Sequence, residues 1–387
     1  MTNIHPWATA IECTASERRS VEALIGWYEI NRRDLPWRRT RDPYCIWLSE
    51  VILQQTRVAQ GLSYYERFVA AFPTVHALAA ADEDDVMRLW QGLGYYSRAR
   101  NLLAGARQVV REWGGAMPED HRLLLTIKGV GRYTAAAVAS FAFGLPHAVV
   151  DGNVYRVLAR WYDIELPIDH APSQRLFAAL AQRLLPSDRS ADYNQAIMEL
   201  GALVCTPKSP SCSACPLRVR CLALDGGTVA ERPVKGRAVR VRERHFLYFE
   251  VIDPQGCFYL VRREAKDIWL GLYELPMVEV DFAIDEAAIG GAWRELLGGV
   301  IPALRCGAAM IEAVCPLPVH QLTHQRIFAS VVRLRSSVAL PAQLDCYIVS
   351  HSAWSDYPLP QLLHNYFRAS REDVAKRSDD CGAVGCP

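Results

Sequence analysis

Four cysteines, Cys205, Cys212, Cys215 and Cys221, fall within 17 residues in the spacing C-x6-C-x2-C-x5-C. A segment that brings four thiols together has little freedom, because its backbone must wrap one centre. Two chemistries use four thiolates, an iron–sulfur cluster and structural zinc. Zinc sites usually come as two C-x2-C pairs, and this run holds one. The spacing therefore favours a [4Fe–4S] cluster and leaves zinc as the competitor. The other eight of the twelve cysteines are scattered and read as ordinary buried thiols. Cys381 and Cys386, near the C-terminus, are too isolated to define a site.

The cysteine run closes a region that reads as helical. From about residue 17 to 222, segments such as SVEALIGWYEINR, DEDDVMRLWQGLG and SQRLFAALAQRLL repeat apolar residues at three- and four-residue spacing. The sequence thus predicts a mostly α domain over 1–225. A Gly-rich, basic linker follows over 226–245. An α+β domain covers 246–370, where HFLYFEVID and CFYLVRR read as strands separated by the turn DPQG. A polar tail, expected to be disordered, ends the chain at 371–387. Net charge is +2 over 1–225, +4 over the linker and −5 beyond it, so a nucleic-acid reading must rest on local sites. No apolar run reaches the roughly 18–20 residues of a membrane span. The N-terminus lacks a basic region followed by an apolar block, so an intracellular, cytoplasmic protein is expected, with no membrane partner.

Three further features carry chemistry. Gly129-Val130-Gly131 lies between two helical stretches, LLLTIK and RYTAAAVASFAFG. Glycines allow a tight turn, and the amides opening the second helix suit a phosphate, which makes this a helix-hairpin-helix grip on a DNA backbone. The alternative is a plain helical turn. Glu50 lies on a helix opening at Asp42-Pro43, with Ile46, Trp47, Leu53 and Gln54 on its face. Such a stripe strips water from the carboxylate, raises its pKa and fits it as a general acid, although a structural bridge inside the core fits equally well. Asp151, in VVDGNVYRVLAR, is placed to N-cap the next helix, where a carboxylate stays ionised. One protonated and one ionised carboxyl can divide the work of breaking a glycosidic bond. Lys208, between the first two cysteines, is a candidate phosphate contact.

Together, SEVILQQT, IKGVGRYTAAA, VDGNV and the cysteine run resemble the endonuclease III helix-hairpin-helix superfamily, and within it the MutY-type family of A/G-specific adenine glycosylases. The resemblance covers roughly residues 20–370. It implies a monofunctional base-excision glycosylase that flips adenine out of a mispair with 8-oxoguanine or guanine in duplex DNA and hydrolyses its N-glycosidic bond. It also implies a [4Fe–4S] cluster on Cys205, Cys212, Cys215 and Cys221; separately, the protein is expected to be a monomer. By this likeness Glu50 protonates the base and Asp151 stabilises the sugar cation. Asn153 and Arg38 lie near the extruded adenine, and Gln55 and Tyr95 wedge into the base stack. Lyase-competent relatives carry a lysine two residues after the second hairpin glycine. Here that residue is Tyr133, which becomes an active-site residue without Schiff-base chemistry.

The C-terminal half resembles the MutT-like (Nudix) recognition domain of the same family through WLGLYELP. GGAWRELLGG lacks the paired glutamates that hold Mg²⁺ in a hydrolytic Nudix box, so this half is expected to bind and not to hydrolyse. Leu322-Thr323-His324 stands where the family carries Phe-Ser-His to sense 8-oxoguanine, keeping an apolar group, a hydroxyl and an imidazole. Three alternatives remain at this level: an endonuclease III-like enzyme on oxidised pyrimidines, a non-catalytic Fe–S DNA-binding protein, and a nucleotide hydrolase.

Overall fold

The computed structural model describes residues 12–236, 241–281, 286–302, 309–343 and 345–370. Residues 237–240 of the expected linker and the whole 371–387 tail, with Cys381 and Cys386, lie outside the described residues. The chain divides into two compact units, Met1–Ala81 with Asn101–Ala238, and Asp82–Arg100 with Val239–Pro387. The second unit thus takes a short piece from the middle of the helical sequence. Among the described residues, no helix is long and apolar enough to cross a membrane.

The helical region runs α1 (Ala15–Asn31), α2 (Pro43–Leu53), α3 (Val58–Ala71), α4 (Val75–Ala80), α5 (Glu83–Trp90), α6 (Ser97–Trp113), α7 (His121–Leu124), α8 (Arg132–Phe143), α9 (Gly152–Trp161), α10 (Ala171–Leu184) and α11 (Ser190–Leu203). Local chemistry sets several of the starts. Thr14 and Glu17 form a reciprocal capping box on α1. Asp42 accepts from Tyr44 N at 2.9 Å to open α2, with Pro43 in the first turn, where its missing N–H costs nothing.

In the first unit, α1, α9, α10 and α11 bury one apolar core that includes Leu24, Tyr28, Leu158, Trp161, Phe177 and Ile197. Small side chains let other elements meet closely. On α8, Ala135, Ala137 and Ala139 are fully buried. At Gly105 a Cβ would lie 2.7 Å from Lys128 O, so only glycine fits where α6 crosses the hairpin.

The second unit contains two sheets. In one, β1 (Arg242–Ile252) lies between β4 (Met277–Val280) and β7 (Gln325–Ser336), and β5 (Ala309–Pro316) is on the far side of β7. β1 and β7 are parallel, and β6 (His320–Gln321) pairs antiparallel with β7. The other sheet orders β3 (Tyr273–Glu274), β2 (Cys257–Arg262) and β8 (Cys346–Ser350). The sequence reads β1 and β2 as strands separated by the turn DPQG. That turn closes, with Gly256 N donating to Asp253 O, but the strands enter different sheets. β1 is buried along most of its length because it is central, and a central strand is apolar on both faces. Its fully buried Glu250 is paired with Arg333 at 2.8 Å and accepts a hydrogen bond from the Tyr366 hydroxyl at 2.6 Å.

Candidate active site

Glu50 projects from α2 and Asp151 sits at the N-cap of α9, and both line one pocket of the first unit. Tyr133, Asn153 and Arg38 line it too, as do Trp37, Phe141 and Met198. Five of the residues singled out in the sequence therefore converge on a single cavity lined by both polar and apolar side chains.

Glu50 is only 5% exposed. Burial pushes its pKa up to about 7, and the Asp151 carboxylate adds to the rise. A hydrogen bond donated by the Tyr133 hydroxyl and the charge of Arg38 pull the other way without cancelling it. A carboxyl poised near neutrality can hold and release a proton at working pH.

Asp151 uses both oxygens. Oδ1 accepts from Val154 N at 2.7 Å, which caps α9, and Oδ2 accepts from Asn153 Nδ2 at 2.8 Å. Helix capping predicts a carboxylate that stays ionised at neutral pH. Its pKa is raised from the ordinary aspartate value, because burial outweighs the donors from Val154 and Asn153 and the charge of Arg156. Asn153 is itself held, its Oδ1 accepting from Arg156 Nη2 at 2.8 Å. The same guanidinium reaches Gly201 O and Cys205 O, each at 2.7 Å.

Among the polar residues of this pocket that the sequence did not single out are Gln195 and Glu199, one turn apart on α11. The Gln195 carboxamide oxygen accepts from the Tyr28 hydroxyl at 2.5 Å. Glu199 forms ion pairs with Arg33 and Arg38. A helical residue whose partners lie some 160 positions away leaves no local signature. The only cue was a glutamate on an otherwise buried helix.

At the hairpin, Gly129 has φ 82°, and a Cβ there would lie 2.6 Å from Asn101 Cβ. Gly131 is the N-cap of α8 at φ −90°, with open space around its Cα. Val130 between them is buried. Only the first glycine is thus required by backbone conformation.

Cys205, Cys212, Cys215 and Cys221 are free thiols that line one cavity. Arg160 Nη1 donates to Cys205 Sγ at 3.4 Å, and the backbone amides of Leu217 and Leu224 serve Cys215 and Cys221. Among the described residues no three His, Cys, Asp or Glu side chains are grouped to hold a single metal ion. Lys208 is exposed on the loop between the first two cysteines.

Gln55, in the first unit, is exposed at φ 55°. In the second unit Tyr95 is 44% exposed at φ 47°. Non-glycine residues rarely hold such angles, and they concentrate at functional sites. Buried Arg98 braces the Tyr95 loop, its guanidinium lying 5.7 Å from the Tyr95 ring and donating to Leu93 O and Gly94 O at 3.3 and 3.2 Å. The Tyr95 and Thr323 hydroxyls share a hydrogen bond. Thr323 and His324 form the tip of the β6–β7 hairpin, closed by Leu322 N donating to Gln325 O at 2.8 Å. Tyr95, Leu322, Thr323 and His324 line one pocket of this unit with Trp269 and His320.

Comparison with known proteins agrees with this layout. Residues 48–183 match the HhH-GPD superfamily of base excision DNA repair proteins, and residues 247–369 match the NUDIX domain. The chain is therefore a helical HhH-GPD domain followed by a Nudix-like α+β domain. It is 50% identical over 211 residues to the adenine DNA glycosylase of Homo sapiens, a match spanning 52% of this chain and 38% of the human protein. The match to the Arabidopsis thaliana adenine DNA glycosylase, 37% identical, spans 68% of this chain and 48% of that protein. The first relatives are thus matched over less than half their length. Against the adenine DNA glycosylase of Buchnera aphidicola (subspecies Schizaphis graminum), identity is 33% over 256 residues, 66% of this chain and 74% of that one. A thermostable thymine-DNA glycosylase shares the helical fold, with TM-score 0.50 and 29% identity over 55% of this chain and 98% of that structure. By the extent of these matches, the chain belongs to the adenine DNA glycosylase family.

Proposed function

We propose that this protein is a monofunctional base-excision glycosylase that hydrolyses the N-glycosidic bond of adenine mispaired with 8-oxoguanine or guanine in duplex DNA. The observation that carries the reading is the meeting of Glu50 and Asp151 on one pocket, with Glu50 near neutrality and Asp151 hydrogen-bonded by Asn153 and Val154.

Glu50, protonated, gives its proton to N7 of an adenine flipped into the pocket. As the bond between C1′ and N9 breaks, its electron pair leaves with the base. Asp151 faces the positive charge that develops on the sugar. Glu50, now ionised, takes a proton from the water that attacks C1′. Arg38 and Asn153 hold the base, and Tyr133 orients Glu50 through its hydroxyl. With tyrosine where a lyase carries its lysine, the residue offers no amine for a Schiff base.

Gly129, Val130, Gly131 and Lys208 hold DNA phosphates through backbone amides and one cation. Gln55 and Tyr95 are the wedges, which accords with their left-handed backbone. Leu322, Thr323 and His324 read the base opposite the adenine. The four cysteines fit a [4Fe–4S] cluster: they share one cavity, and N–H groups donate to Cys205, Cys215 and Cys221. Such a cluster supplies a rigid crosslink that pins the Lys208 loop.

Single-turnover release of adenine from a duplex with adenine opposite 8-oxoguanine tests the reading. Release of thymine glycol with no release of adenine would replace it with the endonuclease III-like alternative. His324→Ala should narrow the preference for 8-oxoguanine over guanine by about tenfold, the loss of one polar contact. An unchanged ratio would remove this imidazole from lesion sensing.

A further inference from the structure

Glu199 is 1% exposed at its side chain, yet it lines the base pocket. Oε1 accepts from Arg33 N at 2.9 Å, Arg33 Nε at 2.9 Å and Arg38 Nη1 at 3.0 Å. Oε2 accepts from Arg33 Nη2 at 2.6 Å and Arg38 Nη2 at 2.9 Å. Its lone pairs are spent on two arginines, so it has little left to offer a substrate. Arg38, in contrast, is fixed on one side only. Its Nη1 also donates to Arg33 O at 3.0 Å, and its guanidinium lies 5.5 Å from the Tyr28 ring. A guanidinium carries five N–H groups, and those not given to Glu199 and Arg33 have no protein acceptor among the described residues.

We infer that Glu199 is a positioning residue: it clamps Arg38 so that the free edge of the guanidinium meets the extruded base, and it offsets the arginine charge beside Glu50. The inference rests on the glycosylase reading above. Arg38 must be held because an arginine side chain is long, and a base reader that swings among rotamers loses the orientation on which specificity depends. Its charge must be offset because an unopposed cation favours the ionised form of a neighbouring carboxyl. The charged or titratable groups around Glu50 are Tyr133 on α8, Asp151 at the cap of α9 and Arg38 before α2. Of these, Arg38 is the one whose effective charge Glu199 sets. Arg33, the second arginine on Glu199, is 34% exposed at its side chain and serves as the outer half of the clamp.

The test is single-turnover adenine release from a duplex with adenine opposite 8-oxoguanine, between pH 5 and 9, for the full chain and four variants. In Glu199→Gln the unopposed arginine charge moves the alkaline limb of the profile to lower pH. Each unit of movement costs about tenfold in rate on that limb, with less loss at pH 5. Glu199→Asp keeps the charge and restores part of the profile. Because Glu199 acts through Arg38, Glu199→Gln combined with Arg38→Met is no slower than Arg38→Met alone. The double variant also leaves no guanidinium buried beside a neutral residue 199 except the half-exposed Arg33, so it tests the inference even if Glu199→Gln alone does not fold. A wild-type profile in Glu199→Gln, or losses that multiply in the double variant, overturn the inference. Absence of adenine release by the unsubstituted chain removes the glycosylase reading itself, a result distinct from either.

Discussion

The Tyr133 hydroxyl donates its hydrogen bond to Glu50 Oε2, joining α8 just after the hairpin to the carboxyl on α2. The hairpin that is proposed to hold the DNA strand and the proposed acid are therefore one hydrogen bond apart. Tyr133→Phe removes a contact that lowers the Glu50 pKa, so the alkaline limb of adenine release should move to higher pH. The rate at pH 6 should fall by roughly tenfold through lost orientation. A limb that moves to lower pH would contradict this assignment.

Glu50→Gln should reduce adenine release by about 10²–10⁴-fold, the usual worth of a general acid, while duplex binding measured by gel shift remains. The same substitution makes a stability prediction. The folded pKa of Glu50, about 7, lies above its ordinary value of 4.5. Its contribution to stability is therefore full below pH 4.5 and lost as pH rises through 7. Relative to the glutamine variant, the unsubstituted chain should lose about 3 kcal/mol between pH 4.5 and pH 8. Thermal melts of the two proteins at both pH values read this difference directly.

Asp151→Asn keeps a residue that caps helices well, so the melting temperature should change little. Adenine release should fall by about 10²-fold or more, because no anion faces the developing sugar cation. The Asp151 charge also helps to raise the Glu50 pKa, so residual activity should lose its alkaline limb at lower pH than the parent. Full activity in this variant would leave the carboxylate with capping as its only role.

Gly129→Ala and Gly131→Ala should differ sharply. At Gly129 the added methyl meets Asn101 in a left-handed backbone, at a cost of about 1–3 kcal/mol and with weaker duplex binding. At Gly131 nothing obstructs a Cβ, and the expected change is below about 0.5 kcal/mol. Equal losses in urea melts would show that the hairpin does not depend on the Gly129 conformation.

Substituting Cys212 with Ser should remove visible absorption around 400 nm from protein purified without oxygen and should loosen the Lys208 loop, read as faster proteolysis at 206–211. Zinc recovered from the unsubstituted protein in place of iron would overturn the cluster.

The parts of the site that were legible in the sequence are those written as short local patterns. Asp42-Pro43 announces the helix of Glu50, Asp151 announces its own cap, and four close cysteines announce a shared centre. Gln195 and Glu199 were not legible, because their meaning depends on Tyr28, Arg33 and Arg38, which fold back from the other end of the domain. The left-handed angles of Gln55 and Tyr95 were also hidden, since neither residue type favours them. In the second unit the strand segments were visible, but their pairing was not. A turn such as DPQG looks the same whether the next strand joins its neighbour or crosses to another sheet.

Asp151 spends one oxygen on starting a helix and turns the other toward Asn153 at the pocket. Fraying of the first turn of α9 would therefore dismantle the chemistry before any global unfolding began. Amide hydrogen exchange at Val154 should track loss of turnover on warming, so that inactivation appears as a local opening with its own, smaller free energy.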